Sequence, residues 1–94
     1  MNLPGTWVTD FGSFTVRPDG SYIGWHTNST SGVVTNEGTF QIRDGFLINT
    51  VTKSSRTNAH VPYVGYLRTI QANDGEIVLD EGGGVEDVLR KDAK

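Results

Sequence analysis

The dipeptide Asp-Gly occurs three times, at Asp19-Gly20, Asp44-Gly45 and Asp74-Gly75, 25 and 30 residues apart. Each copy stands between two segments rich in β-branched and aromatic residues. Asp-Gly suits the positive φ of a tight turn, and between alternating apolar residues it is the strongest short-range hairpin signal. Three hairpins within 94 residues leave room for short strands and little else. Ten Val and eleven Thr against three Ala, with twelve Gly, point the same way. β-Branched side chains fit a pleated, half-buried surface, and a chain poor in Ala and rich in Gly disfavours helix.

Around the turns, eight strand-like segments are expected at roughly 5–10, 11–18, 20–28, 33–43, 45–53, 61–71, 76–81 and 84–91. The last reads as a strand with Val85 and Leu89 inward, or instead as a short terminal helix. Segment 33–43 alternates cleanly, with Val34, Phe40 and Ile42 on one face and Thr35, Glu37, Thr39, Gln41 and Arg43 on the other. That is a strand with one wet face. In 11–18, Phe14 and Val16 oppose Ser13, Thr15 and Arg17. Two segments are apolar on both faces. Ile23 and Trp25 oppose Tyr22 and His26, and Tyr63 and Leu67 oppose Val64, Tyr66 and Ile70. Gly12, Gly24, Gly38 and Gly65 lie inside strands, where Gly marks bulges and the sharp bends of closed sheets. Polar loops are expected at 28–32 and 52–59, and a flexible turn at Gly82-Gly83-Gly84.

Size and charge exclude several functions. A chain of 94 residues makes one small domain, spanning 1–94. Val, Ile, Leu and Phe make up 24 residues, enough for a small core. Without Cys there is no disulfide framework, thiolate metal site or Cys nucleophile. No apolar run approaches the roughly 18 residues of a membrane span. A formal charge of −3, with no basic stripe interleaved with aromatics, argues against nucleic acid. Seven of the eleven acidic residues fall between Asp74 and Asp92. Asp80, Glu81, Glu86 and Asp87 could form a weak divalent-cation site, but no loop spacing supports one, and a solvated acidic edge is the better reading.

No catalytic arrangement stands out, so no enzyme and no cofactor is expected. His26 lies mid-strand beside Trp25, His60 precedes Val61-Pro62, and no nucleophile-elbow pattern accompanies either. Ser13, Ser54 and Ser55 have no motif context.

Gly5-Thr6-Trp7, Phe14, Val16 and Asp19-Gly20 open the chain; Gly38-Thr39-Phe40-Gln41-Ile42, Asp44-Gly45, Leu47 and Ile77-Val78-Leu79 follow. This series resembles the bacterial lipocalin-like domains of the calycin superfamily, over nearly the whole chain. The resemblance implies an antiparallel meander closed into a barrel, with Trp7 packed across its closed end. It also implies a bacterial, exported protein, although Met-Asn-Leu-Pro-Gly is not an intact signal peptide. The first hairpin is also similar to that of avidin-type proteins. There the biotin-contacting positions fall on Thr9, Ser13, His26 and Asn28, of which only Ser13 keeps the family's residue type. The later Trp residues that wall a biotin pocket are absent, since Trp7 and Trp25 are the two Trp here.

The expected fold is therefore all-β: a small eight-stranded, antiparallel, up-and-down, lipocalin-like barrel. Eight strands enclose side chains or one small ligand. The expected function is non-enzymatic binding of a small apolar or amphipathic ligand in the barrel mouth, lined by Phe14, Tyr22, His26, Phe40, Ile42, Tyr63 and Leu67. The alternative is a barrel filled by its own side chains, acting as a structural or interaction module. A cavity below about 300 Å³ would favour the alternative. If Tyr22 and His26 face inward, Ile23 and Trp25 face outward and could form a homodimer interface. In the reverse arrangement Trp25 is core and the chain is monomeric.

Overall fold

A computed structural model describes residues 3–28, 32–56 and 60–92, apart from the side chain of Asn28. The loops expected at 28–32 and 52–59 fall partly outside these residues, but Thr52, Lys53 and Ser54 belong to a strand. The strands are β1 (Gly5–Val8), β2 (Gly12–Val16), β3 (Ser21–Asn28), β4 (Gly32–Arg43), β5 (Phe46–Ser54), β6 (Tyr63–Ala72), β7 (Glu76–Gly82) and β8 (Val85–Lys91). Each pairs antiparallel with its sequence neighbours, and β1 pairs with β8 to close the barrel. The chain is an eight-stranded up-and-down β-barrel, and its last segment is a strand.

An up-and-down order places alternate turns at the same end. All three Asp-Gly turns therefore sit together, and the β1–β2, β3–β4, β5–β6 and β7–β8 connections share the opposite end. The three turns close by different chemistry. In β2–β3, Gly20 N–H donates to the Arg17 carbonyl (2.9 Å), Gly20 takes φ 90°, and Asp19 Oδ1 accepts from the Ser21 amide (2.9 Å) and hydroxyl (2.6 Å). In β4–β5, Asp44 and Gly45 both have positive φ, 55° and 80°, as a two-residue hairpin demands. In β6–β7, Asn73 Oδ1 accepts the amides of Gly75 and Glu76 (both 2.9 Å), a side-chain-built turn in which Gly75 does not use positive φ. The glycine run that looked flexible is a tight connection: Gly82 to Gly84 take φ 88°, 62° and 81°, and Gly82 pairs with Val85.

Cross-strand partners share a face, so the registers sort inward from outward residues. Trp7 pairs with Phe14 and Lys91, Val16 with Tyr22, and Leu47 with Leu67 and Ile42. The core consists of Trp7, Val16, Tyr22, Phe40, Leu47, Ile77, Leu79 and Leu89, with Leu3, Phe14, Ile42 and Leu67 packed against it. Trp7 is completely buried; its indole N–H donates to the Leu3 carbonyl (2.8 Å), and the Lys91 ammonium lies 5.2 Å from its ring.

The strand-interior glycines divide into cases. At Gly38 the β4–β5 register shifts, and an added Cβ would lie 1.8 Å from the Thr50 carbonyl oxygen, so the bulge requires glycine. At Gly24 a Cβ would meet Phe14 Cβ at 2.5 Å, a close approach within a regular ladder. Gly65 marks neither a bulge nor a close approach: its nearest neighbour would be 3.9 Å away.

Ile23 and Trp25 face outward, 46% and 47% exposed, while Tyr22 is buried. The arrangement with Trp25 in the core is thereby overturned. The reason is the register, which aligns Tyr22 with Val16 and Gly38 on the inner face and Ile23 with Thr15 and Glu37 on the outer.

Candidate functional site

The end of the barrel away from the Asp-Gly turns holds a cavity of about 450 Å³. Its floor is a cluster of three rings. Tyr22 and Phe40 stack with centroids 4.0 Å apart and planes 18° from parallel. Phe14 leans on both, 4.5 Å from Phe40 and edge-on to Tyr22 at 6.2 Å. They meet because β2, β3 and β4 are consecutive strands that turn these residues to the inner face. Leu47, Leu67, Leu79 and Leu89 complete the apolar base.

Small inward residues line the wall above the floor. Gly12 pairs with His26 and Gly24 with Phe14, so both take inner-face positions, and both line the cavity. A Cβ at Gly12 would run into the Trp25 carbonyl and the His26 backbone, and one at Gly24 into Phe14 Cβ, so the close approach of β2 and β3 requires glycine at both. Thr9, Phe11 and Ser13 border the mouth from the β1–β2 connection and the start of β2, with Trp25, His26 and Thr27 across from them on β3.

The polar groups sit on opposite walls. The Tyr22 hydroxyl donates to Asn49 Oδ1 at 2.8 Å. Burial, with a smaller push from Tyr63, raises the Tyr22 phenol to about 12, so it is a neutral donor at physiological pH. On β4, Asn36 Oδ1 is buried with no hydrogen-bond partner among the described residues. From β7 and β8, Glu81, Glu86 and Asp87 line the rim. Partial burial, then repulsion from Asp87 and Asp80, raises the Glu81 pKa; partial burial, then repulsion from Asp10, raises that of Asp87. No Lys or Arg lines the cavity among the described residues.

Of the seven residues expected in the site, five border this one cavity: Phe14, Tyr22, His26, Phe40 and Leu67. Ile42 does not. It pairs with Leu47 two residues from the Asp44-Gly45 turn and packs into the core toward the closed end. Tyr63 is not a lining residue either, although its partner Val51 is buried; it begins β6 and is 36% exposed. Side-chain alternation identifies the inner face but gives no height along the barrel axis: Ile42 is on the right face near the wrong end, whereas Tyr63 starts β6 at the cavity end and still does not line the cavity. Leu79, Asn49, Asn36 and the three rim carboxylates were not anticipated. The acids read as a solvated edge, yet Asp87 pairs with buried Leu79, which brings it to the inner face. Among the described residues no three metal-ligating side chains come together.

Of the avidin-type positions, Thr9, Ser13 and His26 border the cavity, and the Asn28 side chain lies outside the described residues. No family model, curated protein or solved structure matches the chain.

Proposed function

We propose that this barrel is a non-enzymatic, lipocalin-like binding domain that holds one small apolar or amphipathic molecule above the Phe14–Tyr22–Phe40 floor. The observation that carries the reading is the cavity. Its volume of about 450 Å³ falls within the range of small-molecule sites, about 300–1,000 Å³. The combination of an apolar base with a few polar groups above it is that of a site which binds by burial and orients by hydrogen bonds.

A thermal-shift titration with 4-phenylbutanol, a neutral molecule with an aromatic body, tests this. A ligand selective for the folded state stabilises it by about 2.7 kcal/mol at a hundred times its Kd, so Tm should climb with concentration. A flat Tm up to the solubility limit would contradict the reading.

A second proposal concerns self-association. Ile23 and Trp25 are exposed on the outer face of β3, and Phe46, Val64, Tyr66 and Ile70 are exposed on β5 and β6. Apolar surface of this kind supports a symmetric homodimer through Ile23 and Trp25. Sedimentation at micromolar concentration should give twice the mass of one chain, and Trp25→Ser should give a folded monomer. A wild-type monomer would end this proposal without touching the first.

A further inference from the structure

We infer that the mouth selects a ligand bearing a cationic nitrogen: an organic amine whose apolar body rests on the aromatic floor and whose ammonium group meets the rim of β7 and β8. The inference rests on the ligand-binding reading above and narrows it to one chemical class.

Placement of charge above the cavity carries it. Asp87 lies directly across the β7–β8 ladder from Leu79, and Leu89, two residues further along β8, is part of the apolar base. The carboxylate therefore stands one step above the floor, within the span of a short amphipathic molecule. Glu81 and Glu86 flank it on the same hairpin. On the opposite side, Asn36 lines the same cavity, with its side-chain carbonyl oxygen enclosed and unpaired among the described residues. A rotation of the amide that turned this oxygen toward the cavity would let it accept a ligand N–H.

The cavity thus offers acceptors above an apolar base and no lysine or arginine among its described lining residues. His26 is the basic side chain at the mouth. The rim carboxylates repel one another, and a bound cation removes that repulsion. A fatty or aromatic carboxylate would add to it. A divalent metal fits less well, because the described acids do not converge in a group of three and the apolar floor would go unused.

The test compares three probes with one body and different heads: 4-phenylbutylamine, 4-phenylbutanol and 4-phenylbutyrate, titrated calorimetrically into the full chain at pH 7. The ammonium should bind about fivefold tighter than the alcohol, and the carboxylate weakest, the scale expected of a screened ion pair with hydrogen bonding. Asp87→Asn with Glu81→Gln should close the gap between amine and alcohol. Glu37→Gln, an outer-face acid 3.7 Å from Lys53, should leave all three affinities unchanged. Equal binding of amine and alcohol would overturn the inference and leave the ligand-binding reading standing. Binding of none would overturn both. A gap that persists in the double variant, or that closes with Glu37→Gln, would place the preference outside the mouth. Displacement of the amine by micromolar Ca²⁺ alone would make the rim a metal site and overturn the inference as well.

Discussion

Trp7 and Trp25 are chemically identical and should respond to substitution in opposite ways. Trp7 is fully buried with its N–H bonded, whereas Trp25 is 47% exposed on the outer face. Trp7→Ala should cost about 3–5 kcal/mol, most of the stability of so small a domain. Trp25→Ser should cost under about 1 kcal/mol in folding free energy, as surface substitutions do. Urea unfolding of the two variants checks this, and equal losses would contradict it. The sequence could not separate the two tryptophans with certainty, because β3 is apolar on both faces; only the register with Val16 and Glu37 decides which face is inner. Asp87 makes a different point. Its pKa is raised in the folded state, so its ionised form costs stability at neutral pH, and the cost disappears as pH falls through the raised value. Asp87→Asn should therefore stabilise the protein at pH 7 by roughly 0.5 kcal/mol or less, given solvent screening, and the difference should vanish in acid. Thermal melts across pH measure it. A stabilised variant that binds amine poorly would fit a residue kept for the ligand at some expense to the fold. Tyr22 gives the corresponding signature in base. With its phenol raised to about 12, the unfolded chain ionises first, so stability is full below pH 10 and falls as pH rises toward about 12. Tyr22→Phe should remove that component of the alkaline loss.

The hairpins could be read from the chain because Asp-Gly punctuates it and because 33–43 alternates without interruption. Boundaries came out close, with β4 at Gly32–Arg43 and β8 at Val85–Lys91. The inner face of β7 could not be read, although Leu89 on β8 could. Ile77-Val78-Leu79 is three apolar residues in a row, which hides the alternation, and the register shifts at Thr69/Gln71 and Asp80/Gly82 move residues between faces with no mark in the sequence. That is where Leu79, Glu81 and Asp87 were missed. The strands also differ in how firmly they are held. β4, twelve residues long, is paired along both edges, whereas four-residue β1 meets the end of the chain through Trp7–Lys91, Val8–Arg90 and the Asp92 amide, which donates to the Thr6 carbonyl (2.8 Å). The barrel should open first at that seam. Amide hydrogen exchange should be faster at Val8 and Arg90 than at Phe40 and Val51; equal protection would mean the seam is no weaker than the middle of the sheet.

A barrel of this size must divide its interior between stability and binding. The core from Trp7 to Leu89 fills the end that carries the Asp-Gly turns, and the cavity occupies the other end. Stability is thus concentrated below the Phe14–Tyr22–Phe40 layer and ligand space above it. That division is the central claim, and solution NMR with 4-phenylbutanol as the probe tests it most directly. Chemical-shift changes and ligand-to-protein contacts should fall on Phe14, Tyr22, Phe40 and Leu67, leaving Ile42, the Asp44-Gly45 turn and the outer-face residues Ile23 and Tyr66 unmoved. Contacts confined to Ile23, Tyr66 and their outer-face neighbours, or none at all, would contradict it.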